Sequence, residues 1–287
     1  MALKNKIDFA VIINVKNANP NGDPLNGNRP RVNYDGIGEL TDVCIKRKIR
    51  NRLIEAGYGI FVQSDDNRID EYPSLRKRAE GEIHKDDWKD EKKFREAVCR
   101  KWIDVRAFGQ VFAYEGDKKG GGVSIGIRGP VSIHSAFSIA PVLERISSIQ
   151  ITKCVSSEGD GTKRSSDTMG MKHRVDHGVY VFYGSMNPQL ASKTGFSDED
   201  AEAIKKVLAN LFENDASSAR PEGSMEIYKV YWWEHNCKNG QYSSAKVHRS
   251  LKVEVKPDVD VPNDVDEDYI ITLQPLPELI PEIMPGR

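Results

Sequence analysis

Apolar and polar positions follow several different rhythms along this chain. Phe9 to Val15 is a nearly unbroken apolar run rich in β-branched side chains, which predicts a buried strand. The run opens into a polar loop, reaching Arg31, that is crowded with Asn, Gly and Pro. From Val43 the rhythm is helical. Val43, Ile45, Ile49, Leu53 and Ile54 recur at helical spacing, and Gly57 stands where a C-cap would close the helix. GIFVQS (59–64) predicts a short strand. Ser64 to Asp90 is dense in both signs of charge and poor in apolar residues, so it reads as an inserted, mobile subdomain. One helix is then expected from Asp90 to Ala113, with Phe94, Val98, Trp102 and Val105 as its apolar stripe and Trp102 and Phe108 in the core.

Val123 to Val142 alternates in the manner of a sheet and is broken at Gly129-Pro130. Ser147–Val155 and Gly178–Tyr183 read as paired strands. The link between them, 156–177, is long, polar and basic, too long for a tight turn, and predicts an arm extended from the core. FSDEDAEAIKKVLANLFEND (196–215) is an amphipathic helix with Ser197 as N-cap and Asp200 three residues later. Met225–Asn236 is an aromatic-rich strand, and Lys246–Val255 reads as another. The tail from Lys256 has six prolines and no periodicity, which predicts a segment that wraps the surface or moves. This order is compatible with an α+β fold: a ferredoxin-like βαββαβ core carrying insertions.

The length, 287 residues, suits one large domain with insertions or two domains. No apolar run approaches the roughly 18 residues of a membrane span, and the N-terminus lacks the pattern of a signal peptide. Cys44, Cys99, Cys154 and Cys237 are widely spaced with no CxxC pair, which fits a reduced, cytoplasmic setting. The net charge of −1 conceals a net −6 from Lys256 onward and +5 before it. A mildly basic body with an acidic tail allows a nucleic-acid partner without requiring one.

Three places carry candidate chemistry. The first loop offers Lys16, Asn17, Asn19, Asn21, Arg29 and Arg31, with Asp23 as its only acid. Asp23 reads as a turn former, or else as a single metal or catalytic carboxylate. The helix after it carries five cations within seven residues, of which Lys46, Arg47 and Arg50 share a face, to meet phosphates or merely solvent. The arm supplies Lys163, Arg164, Lys172, His173 and Arg174. Its Met169 and Met171 would act as wedges against unstacked bases, or as filler against a neighbouring subunit. His173 and His177 are spaced H-x-x-x-H, too sparse a ligand set for zinc even with Cys154 nearby. The glycine clusters at 120–122 and 159–161 lack P-loop spacing, and hydrolase signatures are missing.

The segments NANPNGDPLNGNRPR (17–31), TDVCIKRKIRNRL (41–53), VRAFGQVFA (105–113) and MGMKHRVDHGVYVFYG (169–184) together resemble one family. It is the crRNA-binding backbone subunit (Cas7 family, Csd2/Csh2-type) of the type I-C CRISPR surveillance complex, Cascade. The resemblance implies an RRM-like palm, a helical finger region and a β-hairpin thumb. Here that means palm at 1–64, 106–155 and 178–255, finger at 65–105, thumb at 156–177 and an acidic tail at 256–287. It further implies copies stacked along a CRISPR RNA, each thumb flipping one nucleotide, so that short guide segments pair with a target DNA strand. Expected partners are copies of itself, a Cas5-type capping subunit that also processes the RNA, and a large Cas8-type PAM-reading subunit. No catalytic residue, metal, cofactor or membrane contact is implied. The competing expectations are a metal-dependent, target-RNA-cleaving subunit as in type III complexes, using Asp23, and a standalone RNA-binding protein.

Overall fold

The computed structural model describes residues 1–114, 123–153 and 168–287. The chain begins with β1 (Ile7–Ala18), the short pair β2 (Gly22–Asp23) and β3 (Arg29–Pro30), β4 (Ile37–Leu40) and α1 (Asp42–Glu55). A helical stretch follows: α2 (Leu75–Glu82), α3 (Glu91–Lys101) and α4 (Ile103–Phe108). Next come β5 (Gly109–Tyr114), β6 (Val123–Arg128), β7 (Val131–Ile133), β8 (Ala136–Pro141), β9 (Ile146–Lys153) and the long β10 (Thr168–Met186). After α5 (Pro188–Thr194) and α6 (Asp198–Ala209) the chain closes with β11 (Met225–Glu234), α7 (Ser244–Ser250), β12 (Leu251–Val255), β13 (Tyr269–Leu273) and β14 (Glu282–Pro285).

An eight-stranded antiparallel sheet runs β14-β11-β1-β10-β8-β4, with β7 and β9 also paired to β10. β1 lies at its centre and is covered on both faces. Phe9, Val11 and Ile13 pack with Ile45, Ile49 and Leu53 of α1 and Ile204 and Leu208 of α6. Ala10 and Ile12 pack the other way, with Trp233, Val247, Leu251 and Tyr269. A strand buried on both sides needs apolar residues at every position, which is why its sequence lacks the alternation of a half-exposed strand. One residue before the end of the strand stands Asn17, whose φ of 57° a short polar side chain accepts readily. That residue breaks the alternation, so Val15 and Ala18 both face the helix-covered core.

Several expectations need correction. Val43 is exposed, Ile45, Ile49 and Leu53 are buried, and Ile54 is half-buried. Residues 59–64 form no strand; Ile60 and Phe61 are buried, and side chains rather than a neighbouring strand satisfy the Phe61 backbone, Asp104 accepting from Phe61 N and Arg78 donating to its carbonyl. The single helix expected from 90 to 113 is two helices that break at Trp102, followed by β5, because Phe112 must face Phe61 and Phe94 in a third apolar cluster. The charged stretch before it is tied down by ion pairing. Arg78 is buried, takes Asp70 in a two-pronged pair (2.7 and 2.8 Å) and donates to the Phe61 carbonyl (2.7 Å).

The segment Lys246–Val255 divides into α7 and β12. The tail is built into the fold: β13 pairs with β12, and β14 extends the main sheet beside β11. β9 does pair with β10, but with its residues 168–175 rather than with 178–183. Ser197 and Asp200 form the reciprocal capping box the sequence suggested. Among the described residues no helix is long and apolar enough to cross a membrane.

Candidate nucleic-acid interface

The first loop and the base of the β9–β10 hairpin converge, although more than a hundred residues separate them in sequence. Arg29, on β3, donates through Nη1 to Ser148 Oγ (3.1 Å), and the same hydroxyl lies 2.8 Å from His173 Nδ1. In the β9–β10 register Ser148 stands opposite His173, Gln150 opposite Met171 and Thr152 opposite Met169. Cross-strand partners share a face, so Met169, Met171 and His173 form one row leading outward from Arg29. The methionines are exposed, 70% and 56%, and Gln150 Nε2 lies 2.8 Å from Met169 Sδ. The opposite face of the hairpin carries Lys172 and Arg174 with the exposed Ile149 and Ile151.

Not every candidate faces outward. His173 is buried; burial first, and Arg29 beside it, hold its pKa below the ordinary histidine value. Its ring braces Ser148 from within, which corrects its expected place on the surface. Asn19 is buried too, with Nδ2 donating to the Asn28 carbonyl (2.7 Å), so its amide shapes the loop. Asn21 Oδ1 accepts from Thr41 N and Oγ1 (both 3.0 Å), tying the loop to the N-cap of α1. Asn17 and Lys16 are exposed. Arg31 is half-buried, 3.5 Å from Asp23 Oδ1, and Asp23 itself accepts from Leu25 N (3.2 Å) as cap of a turn. Arg174 lies 3.8 Å from Asp176. Lys163 and Arg164 lie outside the described residues, as does Cys154.

The cationic face of α1 is corrected most. Lys46 pairs with Asp42 (2.9 Å), Arg50 with Asp104 (2.9 Å), Arg52 with Glu55 (2.7 Å) and Lys48 with Asp215. Arg47 donates to the Val62 carbonyl (2.7 Å). These cations hold α1 to the surrounding chain, and the carboxylates that answer Arg50 and Lys48 lie far away in sequence. By contrast, Lys16 and Lys172 form no ion pair among the described residues. Among the described residues, no group of three His, Cys, Asp or Glu side chains stands close enough to hold a metal ion.

Sequence reasoning missed His177 as a structural group. It stands opposite Lys16 in the sheet, buried, with neither ring nitrogen hydrogen-bonded among the described residues. Burial, then Arg145 and Lys16, push its pKa down to about 4. A group protonated more readily in the unfolded than in the folded state makes stability fall as the pH is lowered. From the ordinary value near 6.5 down to about 4 this amounts to at most about 3 kcal/mol. The depressed pKa of His248 acts in the same direction. Urea denaturation midpoints should therefore drop between about pH 6.5 and 4, and His177→Phe should flatten part of that slope; an unchanged slope in the variant would exclude His177 as its source.

A model of the family described as CRISPR-associated protein Cas7 matches residues 5–274. A curated protein of Haloferax volcanii, "CRISPR-associated protein Cas7", is 27% identical over 230 residues, covering 76% of this chain and 67% of its own. Similar solved structures include a chain of a "CRISPR RNA-guided surveillance complex, pre-nicking", with TM-score 0.48 and 13% identity over 89% of this chain and 84% of that one. A chain of another "CRISPR RNA-guided surveillance complex" gives TM-score 0.41 and 14% identity over 79% and 68%.

Proposed function

This chain belongs to the Cas7 family of CRISPR-associated proteins, and from that premise we propose that it is the non-catalytic backbone subunit of a type I-C CRISPR RNA-guided surveillance complex. The observation that carries the reading is the meeting of the first loop and the hairpin, Arg29 against Ser148 and His173, with the exposed Met169 and Met171 on the same face, Lys16 opposite His177 at the hairpin's base and Lys172 on its other face, neither lysine ion-paired among the described residues. Lysine and arginine side chains grip phosphates and read no letters, which suits a subunit that must accept any guide. The methionine row offers polarisable apolar surface to a base lifted out of the stack. Sequence choice is left to pairing between guide and target strand.

In this reading β1, β8, β10 and β11 with α1 and α6 are an RRM-like palm. Their order, β11-β1-β10-β8, all antiparallel, is that of a βαββαβ unit. The helical region 65–105 is the finger, continued by the β5–β6 hairpin with which it shares an apolar cluster. The thumb is the β9–β10 hairpin. Copies of the chain, a Cas5-type cap and a Cas8-type PAM reader would complete the particle. Asp23 acts as a turn cap paired with Arg31, which favours this reading over metal-dependent RNA cleavage.

The test uses Lys16→Ala/Arg29→Ala/Lys172→Ala with single-stranded RNAs of unrelated sequence. Each lost phosphate contact lowers the salt slope by roughly 0.7, so the slope should fall by about 2, with affinity falling alike for every sequence. Parent-like affinity and slope would overturn the proposal.

A further inference from the structure

At the opposite end of β1 and β10 from the hairpin lies a cleft of about 510 Å3. Lys6, just ahead of β1, Arg128 at the end of β6 and Lys238 in the loop after β11 line it, with Ser185, Gln189 and Ser244. No carboxylate is among its lining residues. Lys6 is fixed in place: Nζ lies 3.3 Å from Asp8 Oδ2 and donates to the Tyr242 carbonyl (3.2 Å). Asp8 is fully buried behind the cleft and held in turn by His235 (2.9 Å). One charge is thus answered from below. Arg128 and Lys238, both exposed, form no ion pair among the described residues.

We propose that this cleft is a phosphate-binding site. Three cations around a concave surface focus positive potential where an anion sits. The guanidinium of Arg128 offers paired donors that match phosphate oxygens, and the two ammonium groups add point charge. The hydroxyl of Ser185 supplies a neutral donor for a remaining oxygen, while the Gln189 amide, donating to Asn239 Oδ1 (2.5 Å) and to the Lys238 carbonyl (3.4 Å), steadies the loop that carries Lys238. A lining without carboxylates disfavours a divalent cation, and its polar character disfavours an apolar ligand. Lys6 and Lys16 are ten strand positions apart, roughly 33 Å, so the cleft is separate from the loop–hairpin interface. It uses none of that interface's residues and stands or falls independently of it.

The phosphate can come from a free compound or from the backbone of a nucleic-acid strand. The test sets Arg128→Ala/Lys238→Ala in the chain that already carries Lys16→Ala/Arg29→Ala/Lys172→Ala, with inorganic pyrophosphate and a 20-nucleotide single-stranded oligonucleotide, about the length of a guide segment, as probes. Both new positions are exposed, and circular dichroism verifies the fold. The parent of this pair should bind at least one probe, and the added substitutions should weaken that binding at least about tenfold, as expected for removing two charged contacts. Binding of the oligonucleotide alone assigns the site to a strand; pyrophosphate binding assigns it to free phosphate. If the parent binds neither probe, or the added substitutions leave both affinities unchanged, the proposal is overturned.

Discussion

Asp104→Ala is expected to destabilise the protein by about 3–5 kcal/mol, the cost of stranding one partner of a buried ion pair. Asp104 is fully buried at the start of α4. Its Oδ1 accepts from Phe61 N (2.7 Å), and its Oδ2 accepts from Val62 N (3.0 Å) and Arg50 Nε (2.9 Å). Arg50 also lies over the Phe108 ring, 5.1 Å from its centroid. One carboxylate therefore joins α1, the irregular 60–62 segment and α4. Alanine would leave a largely buried guanidinium without a counter-charge and two backbone N–H groups without acceptors. Lys46→Ala removes only a partly exposed pair one turn away and should cost less than about 0.5 kcal/mol. Urea denaturation midpoints of the two variants test the contrast; an Asp104→Ala variant within about 1 kcal/mol of the parent would show that the hub is not structural. The same geometry bears on how RNA contacts can be probed. Reversing Arg50 to glutamate would place a second carboxylate against buried Asp104, so loss of RNA binding in that variant would report unfolding.

What could be read in the sequence follows from how local each determinant is. The burial of β1, the amphipathic stripe of α6 and its Ser197–Asp200 cap depend on neighbouring residues, and all were legible. The role of the α1 cations was not. The acids that neutralise them sit 54 residues away, for Arg50, and 167 away, for Lys48. Charge counting along a helix cannot see partners at such distances. The break at Trp102 was also hidden, because the helical stripe continues past it in composition. It is the packing of Phe112 against Phe61 and Phe94 that turns the chain into β5.

The hairpin was half legible. Met169, Met171, His173 and Val175 recur at every second position, the signature of a strand, yet the polar residues between them suggested an irregular arm. The tail's strands are four and five residues long, too short for periodicity to emerge. In the candidate interface the side chains were named from the sequence, but their grouping was not. Only the fold brings Arg29 to Ser148, and only the fold takes His173 and Asn19 inward.

Shortening the hairpin should have the largest effect on RNA binding. Replacing residues 149–172 with a short Gly-Ser turn keeps Ser148 opposite His173 and leaves Ile146 and Val175 against the helix-covered core. The exposed Ile149, Ile151, Met169 and Met171 contribute nothing to the buried clusters, so the palm should stay folded, with a denaturation midpoint close to the parent's. Affinity for single-stranded RNA should nonetheless fall by on the order of tenfold to a hundredfold, from lost phosphate contacts together with lost apolar surface for a displaced base. The two contributions separate by salt. Met169→Ala/Met171→Ala should lower affinity while leaving the dependence on ionic strength unchanged, because methionine releases no counterions. The shortened chain should lose affinity and show a shallower slope as well, since Lys172 is gone. A shortened protein that is folded and still binds RNA with the parent's affinity and slope would remove the hairpin from the interface, leaving the first loop to account for any grip on the strand.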